Sequence, residues 1–243
     1  MSVAPIPARQ IVVAVDGPSG SGKSSVSRGV ADRLGLRYLD TGAMYRTVAW
    51  QVLNDGIEPT DIAGVASLVA DLDLGVATDP QAPEFSSSGV DVTEAIRGPD
   101  VAAIVSAVSS NPAVRNRLVQ IQRALVREAC SDGGEGIVVE GRDIGTVVLP
   151  DAKLKVFLTA DVAARAQRRN LEDRVAGRTD GGSTMTLNAL AARDQADSTR
   201  AASPLKRAAD AVVIDATELS LEEVIAIVVE LVRSRFDLSE SAT

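Results

Sequence analysis

Apolar residues along this chain fall into short continuous runs, separated by longer stretches in which they recur at helical spacing. Ile11–Val15 is one such run, ending at Asp16 and Gly17; Ile137–Val139, Leu154–Leu158 and Val212–Ile214 are others. Runs without polar alternation are expected of strands buried on both faces. Ser24–Leu34 predicts a helix closed by Gly35, Leu36–Leu39 a short second strand, and Thr41–Asn54 a helix with Met44, Val48 and Val52 on one side. A helix capped by Thr60 follows to about Leu72, and Asn111-Pro112 opens another that runs to about Ala129. Asp161 opens a further helix, and a polar arginine-bearing one spans about Thr184–Ala201. Ser220 to Glu223 forms a capping box before a last helix with Leu221, Val224, Ile225, Val228 and Leu231 on its core face. Gly75–Gly98, with its prolines, serines and the alternation Val90-Asp91-Val92, predicts a small hairpin insert outside the main sheet. Strands alternating with helices predict an α/β fold around a parallel sheet.

Composition narrows the chemistry. The 243 residues contain no His and one Cys, Cys130, which removes imidazole bases, histidine metal sites and internal disulfides. Cys130 reads as an inert, partly buried thiol near a helix end. A net charge of -8 argues against general affinity for nucleic acid or anionic membrane. No secretory signal and no membrane-length apolar stretch is visible, so a cytoplasmic protein is expected. Of the 25 basic residues only Lys23, Lys153, Lys155 and Lys206 are lysines, leaving 21 arginines, the residue suited to bidentate grip on phosphate.

The segment Gly17-Pro18-Ser19-Gly20-Ser21-Gly22-Lys23-Ser24, with Ser25 continuing into the predicted helix, has the Gly-x4-Gly-Lys-Ser spacing of a phosphate-cradling loop. Its glycines let successive N–H groups turn inward on a polyphosphate, and the following helix adds its N-terminal dipole. These nine residues are the expected ATP site. Lys23 would supply charge to the transferring phosphate, and Ser24 would offer a hydroxyl to Mg²⁺. The loop alone leaves GTPases, motor ATPases and small-molecule kinases open. The absence of a guanine-reading Asn-Lys-x-Asp lowers the first. Ile137–Val139 ends in Glu140-Gly141-Arg142-Asp143 rather than an Asp-Glu pair, which lowers the second.

The loop, Asp40–Arg46 (DTGAMYR), Glu140–Thr146 (EGRDIGT) and Arg193–Leu205 (RDQADSTRAASPL) together resemble bacterial cytidylate kinases from about Ile11 to Phe236. The resemblance implies transfer of the γ-phosphoryl of ATP to CMP or dCMP, with Mg²⁺ as cofactor. It also implies one kinase domain, in which a core (about 11–58, 132–164 and 202–236) carries a monophosphate-binding insert (about 59–131) and an arginine-bearing lid (about 165–201). Small-molecule substrates, a monomer, and no nucleic-acid or membrane partner are expected.

Carried over by motif, Thr41, Arg46 and Arg142 surround the acceptor phosphate, with Arg97 of the insert approaching it. Ser106, Arg115 and Asp143 read the cytosine ring. Arg193, Asp197 and Arg200, at i, i+4 and i+7, share one helix face, with Asp197 at the sugar hydroxyls. Arg165, Arg168 and Arg169 begin the lid, and Arg174 and Arg178 continue it. Lys23, Arg142, Arg165 and Arg169 are the expected catalytic set, since phosphoryl transfer calls for positioning and charge rather than a histidine. Two positions depart from the family's common pattern: Ser24 stands where Gly is frequent, and Glu140 where Asp is frequent. Another small-metabolite kinase and a non-catalytic nucleotide switch remain alternatives. The lid arginines favour an enzyme, and Ser106, Arg115 and Asp143 favour a cytidine acceptor.

Overall fold

A computed structural model describes residues 10–131, 134, 136–175, 187, 192, 194, 195, 197–199 and 204–238, with the backbone alone at Arg169 and 172–175. Its centre is a five-stranded sheet made of β1 (Ile11–Asp16), β2 (Arg37–Asp40), β6 (Gly136–Gly141), β7 (Leu154–Thr159) and β8 (Val212–Asp215). The spatial order is β2-β6-β1-β7-β8, and every pairing is parallel. The five apolar residues Ile11–Val15 of β1 are all buried, as their unbroken run requires, and Asp16 at its end is buried with them.

Alternate side chains of these strands feed two cores. Val12, Ala14, Leu39, Ile137 and Val139 face one side, covered by α2 (Thr41–Asn54), α3 (Ile62–Asp71), α4 (Pro99–Ser110) and α5 (Pro112–Ala129). Val13, Val15, Tyr38, Val138, Leu154 and Val156 face the other, covered by α1 (Lys23–Leu34) and α7 (Leu221–Arg235). A further helix, α6 (Val162–Val175), follows β7. The strands outrun their apolar cores at the carboxyl ends: β6 continues through buried Glu140 and Gly141. That end of a parallel sheet is where ligands bind in this architecture.

Three local expectations change. Asp61, not Thr60, caps α3, its carboxylate accepting from Gly64 N–H at 3.0 Å. Leu221 lies in the first turn of α7 and is 46% exposed; the buried stripe is Val224, Ile225, Val228, Val229 and Val232. The insert is a three-stranded antiparallel sheet, β3 (Leu74–Val76), β4 (Phe85–Ser87) and β5 (Val90–Asp91), rather than a single hairpin. Ser88 and Gly89 both have positive φ (49° and 79°), the geometry of a two-residue turn matched to strand twist.

The insert also shields the open edge of β2. Tyr38 N–H donates to Thr78 O at 2.8 Å, Arg28 Nε to Pro80 O at 2.9 Å, and Gln81 Nε2 to Asp32 Oδ1 at 2.7 Å. Pro83 and Phe85 are thereby brought to the wall of a cleft above the strand ends.

Candidate active site

The loop between β1 and α1 depends on glycine at its first position. Gly17 has φ 155°, and a Cβ there would stand 2.0 Å from Leu158 O on β7. Gly22 caps α1 in the left-handed region with no side-chain acceptor on the first-turn N–H groups, which open toward the cleft. Such a helix start is an anion site. Lys23 is 6% exposed and folds over the loop, its Nζ 2.7 Å from Pro18 O and 3.4 Å from Ser21 Oγ.

Two arginines of α6 brace the loop from outside. Arg165 Nη1 donates to Ser19 O at 2.8 Å and to Asp194 Oδ2 at 2.5 Å, while its Nε donates to Ala160 O. Arg168 donates to Ser21 O and Ala216 O. Neither lines the cleft in this conformation.

The cleft has a volume of about 350 Å³, within the range of small-molecule sites. Ser19, Gly20, Gly22, Lys23, Ser24 and Ser25 line one end of it. Thr41, Arg46, Arg97, Ser106, Arg115, Arg142, Asp143 and Asp197 line the rest. Gly17, Pro18 and Ser21 form the underside of the loop and do not reach the cleft surface. Thr41 donates to Glu140 O at 2.7 Å, fixing the start of α2 against the end of β6. Arg142 Nε donates to Asp197 Oδ2 at 2.9 Å. Arg115 and Asp143 form a buried ion pair, Nη2 to Oδ2 2.5 Å, with the guanidinium 5.5 Å from the centre of the Tyr45 ring. Arg178, Arg193 and Arg200, and the side chains of Arg169 and Arg174, lie outside the described residues.

Two side chains hold the backbone of the segment after Asp143 from two sides. Asp16 accepts from Ile144 N–H and Gly145 N–H, each at 2.8 Å. Arg123 donates to Val147 O and Val148 O at 2.8 and 2.9 Å. Burial pushes the Asp16 carboxyl up to about 6 against the pull of those two N–H donors; Asp143 adds repulsion and Lys23 opposes it. A carboxyl whose folded pKa is raised contributes stability at low pH that is lost as pH rises from its unfolded value, about 3.8, through about 6. Asp16→Asn cannot ionise, so its Tm relative to the parent should shift upward between pH 4 and pH 7. An unchanged difference across thermal melts at those two pH values would refute this.

Glu140, also buried, accepts from Tyr38 OH at 2.5 Å. Its carboxyl is pushed up to about 7, first by burial and then by Asp40, while Lys23 and hydrogen bonds from Tyr38 and Ser24 pull it down. Ser24, Asp40 and Glu140 thus gather oxygen donors at one point of the cleft. A hydroxyl and carboxylates without nitrogen or sulfur are the donor chemistry of Mg²⁺, which keeps several waters and takes few protein ligands.

Asp16, Asp40, Tyr38 and Asp194 carry the site's geometry without having been singled out from sequence. For Asp194 a local signal exists: it stands three residues before Asp197, so those two share a helix side as fully as Arg193, Asp197 and Arg200 do.

The family model for cytidylate kinase matches residues 13–234. A cytidylate kinase of Corynebacterium glutamicum is 49% identical over 234 residues, 96% of this chain and 99% of that protein. Those of Nocardia farcinica and Rhodococcus jostii are 53% and 51% identical, spanning 88% and 89% of this chain and 90% and 92% of theirs.

Proposed function

The chain belongs to the cytidylate kinase family, and from that premise we propose that it transfers the γ-phosphoryl of ATP to CMP and dCMP, yielding ADP with CDP or dCDP. The observation that carries this reading is the buried Arg115–Asp143 pair in the same cleft as the phosphate loop. Cytosine presents a carbonyl and a ring nitrogen as acceptors and an exocyclic amine as donor. Arg115 supplies the donor and Asp143 the acceptor that such an edge requires. Ser106, on α4 beside them, is the third ring contact in this reading.

The acceptor phosphate is already a dianion, so no general base is required. What the reaction needs is two phosphates held in line and their charge offset in a loose transition state. Arg46, Arg97 and Arg142 surround the acceptor phosphate in this reading, with Thr41 beside them, and Arg193 and Arg200 are assigned there by motif. Lys23 faces the transferring group, and Gly17–Ser25 take the phosphates of ATP. Arg169 is assigned to the lid, and Arg165 acts through the loop it braces. Ser24 and Glu140, with Asp40, would hold Mg²⁺, which when bound offsets phosphate charge. We read the whole chain as one catalytic unit of core, insert and lid.

A coupled ADP-release assay across the nucleoside monophosphates tests the assignment. CMP and dCMP are expected to be the best acceptors, UMP distinctly poorer, and AMP and GMP nearly inert. UMP presents a ring N–H and a carbonyl where cytosine presents an acceptor and an amine, so Asp143 would meet acceptor with acceptor. Preference for AMP or a non-nucleotide acceptor would overturn the cytidylate assignment and leave phosphoryl transfer standing.

Asp197, held by Arg142, is assigned to the sugar hydroxyls. Asp197→Ala also releases Arg142, a loss common to both acceptors. The difference lies in the 2′-hydroxyl that dCMP lacks. A lost hydrogen bond of about 1.5 kcal/mol should lower kcat/KM about tenfold more for CMP than for dCMP. Equal losses would move Asp197 away from that hydroxyl.

A further inference from the structure

Ser19 is gripped at both its backbone groups. Its N–H donates to Asp194 Oδ1 at 3.0 Å, and its C=O accepts from Arg165 Nη1 at 2.8 Å. The two gripping side chains are themselves paired at 2.5 Å, with Arg165 6% and Asp194 18% exposed. Because the N–H and C=O of one residue belong to successive peptide planes, this arrangement fixes both planes around Ser19. The next residue, Gly20, has φ +74°, and a Cβ there would come 3.1 Å from Arg165 O. α6 therefore lies directly against the most pliable part of the loop.

Three residues beyond Asp194, Asp197 accepts from Arg142 Nε, and its carbonyl accepts from Leu205 N–H at 2.8 Å. Two carboxylates three residues apart in the chain thus hold the donor loop and an acceptor-site arginine.

We propose that Asp194 is a positioning residue: with Arg165 it locks the phosphate loop at Ser19, and through Asp197 it couples the ATP end of the cleft to the acceptor end. Neither side chain needs to touch ATP for this. A loop rich in glycine loses much backbone freedom on binding phosphate, and a prior lock on two peptide planes lowers that cost. The short link between the two carboxylates then passes the state of one end to the other as a binding coupling. The coupling half of this proposal rests on CMP as acceptor; the loop-locking half does not.

The test uses the full chain and the variant Asp194→Asn, which keeps shape and removes charge. Calorimetry with a non-hydrolysable ATP analogue, without acceptor, should show binding about tenfold weaker than in the parent. With CMP present, the parent should bind the analogue about fivefold tighter than without it, and the variant should lose that factor. Arg165→Lys, which keeps a cation but not the fork, should weaken the analogue by a smaller factor, and it serves as the test should Asp194→Asn fail to fold. In a double-mutant cycle Arg165→Ala should cost more in the parent than in the Asp194→Asn background, because in the parent it leaves a carboxylate unpaired beside phosphates. A lower Tm with analogue affinity and CMP coupling both unchanged would make Asp194 merely structural and overturn the proposal. If CMP proves not to be the acceptor, the measurement without acceptor still decides the loop-locking half. Unchanged analogue affinity there would overturn it.

Discussion

Lys23→Met is expected to give a folded protein whose turnover is lower by about 10²–10³. The fold should survive because the ammonium's structural duty is shared. Pro18 O, which accepts from Nζ, also accepts from Ser21 Oγ at 3.1 Å. Met has similar length and suits a site only 6% exposed. The loss falls on chemistry because Lys23 is the loop's only side-chain cation and faces the cleft. No other side chain in Gly17–Ser25 carries a positive charge that could reach the transferring group. Circular dichroism would establish the fold, and initial rates at saturating ATP and CMP would give turnover. Turnover within a few-fold of the parent would show that the loop does not act on the transferring phosphate.

How far the sequence disclosed this arrangement depended on the range of each interaction. α2 and α5 were legible to the residue because cap, periodicity and terminus are all local: Asn111 accepts from Ala113 N–H, and Pro112 follows it. The phosphate loop was legible because its glycine spacing is itself the mechanism. Strand ends were not. Glu140 and Gly141 break the apolar run yet continue β6, since the carboxyl edge of the sheet carries chemistry rather than core. Leu74–Val76 was missed as a strand because three half-buried residues carry no alternation to read.

Within the site, Arg115 and Asp143 were placed by family motif, and the structure adds that they pair. Asp16 had no such route, and Asp194, though inside the Arg193–Leu205 motif, was given no role by it. Each acts on backbone N–H groups across 128 or more residues, through partners that any residue type could provide. Arg165 was read as a lid cation, whereas its fork is engaged with the loop and with Asp194. Spacing can place an arginine on a helix face, but it cannot say which carbonyls that face will meet.

The ion pair of Arg115 and Asp143 carries the second large effect, and it divides into two measurable parts. Both side chains are nearly enclosed, 5% and 7% exposed, so Asp143→Ala leaves a buried guanidinium with Ser109 O and the Tyr45 ring as its remaining neighbours. Breaking a buried pair from one side costs about 3–5 kcal/mol. In a chain of this size that corresponds to a Tm lower by about 10 °C. The second part concerns cytosine. Losing the carboxylate removes the acceptor for the exocyclic amine, so the CMP-to-UMP ratio of kcat/KM should narrow, mainly through damage to CMP. Stability and recognition separate in the double variant Arg115→Met with Asp143→Leu. Replacing both charges by apolar groups should restore most of the Tm, because no unpaired charge remains. It should not restore selectivity, because no polar group is left to read the base. A single variant in which CMP and UMP fall together, with the ratio intact, would show that Asp143 orients Arg115 or Arg142 rather than reading the ring. A double variant that recovers both Tm and CMP preference would remove the pair from recognition altogether.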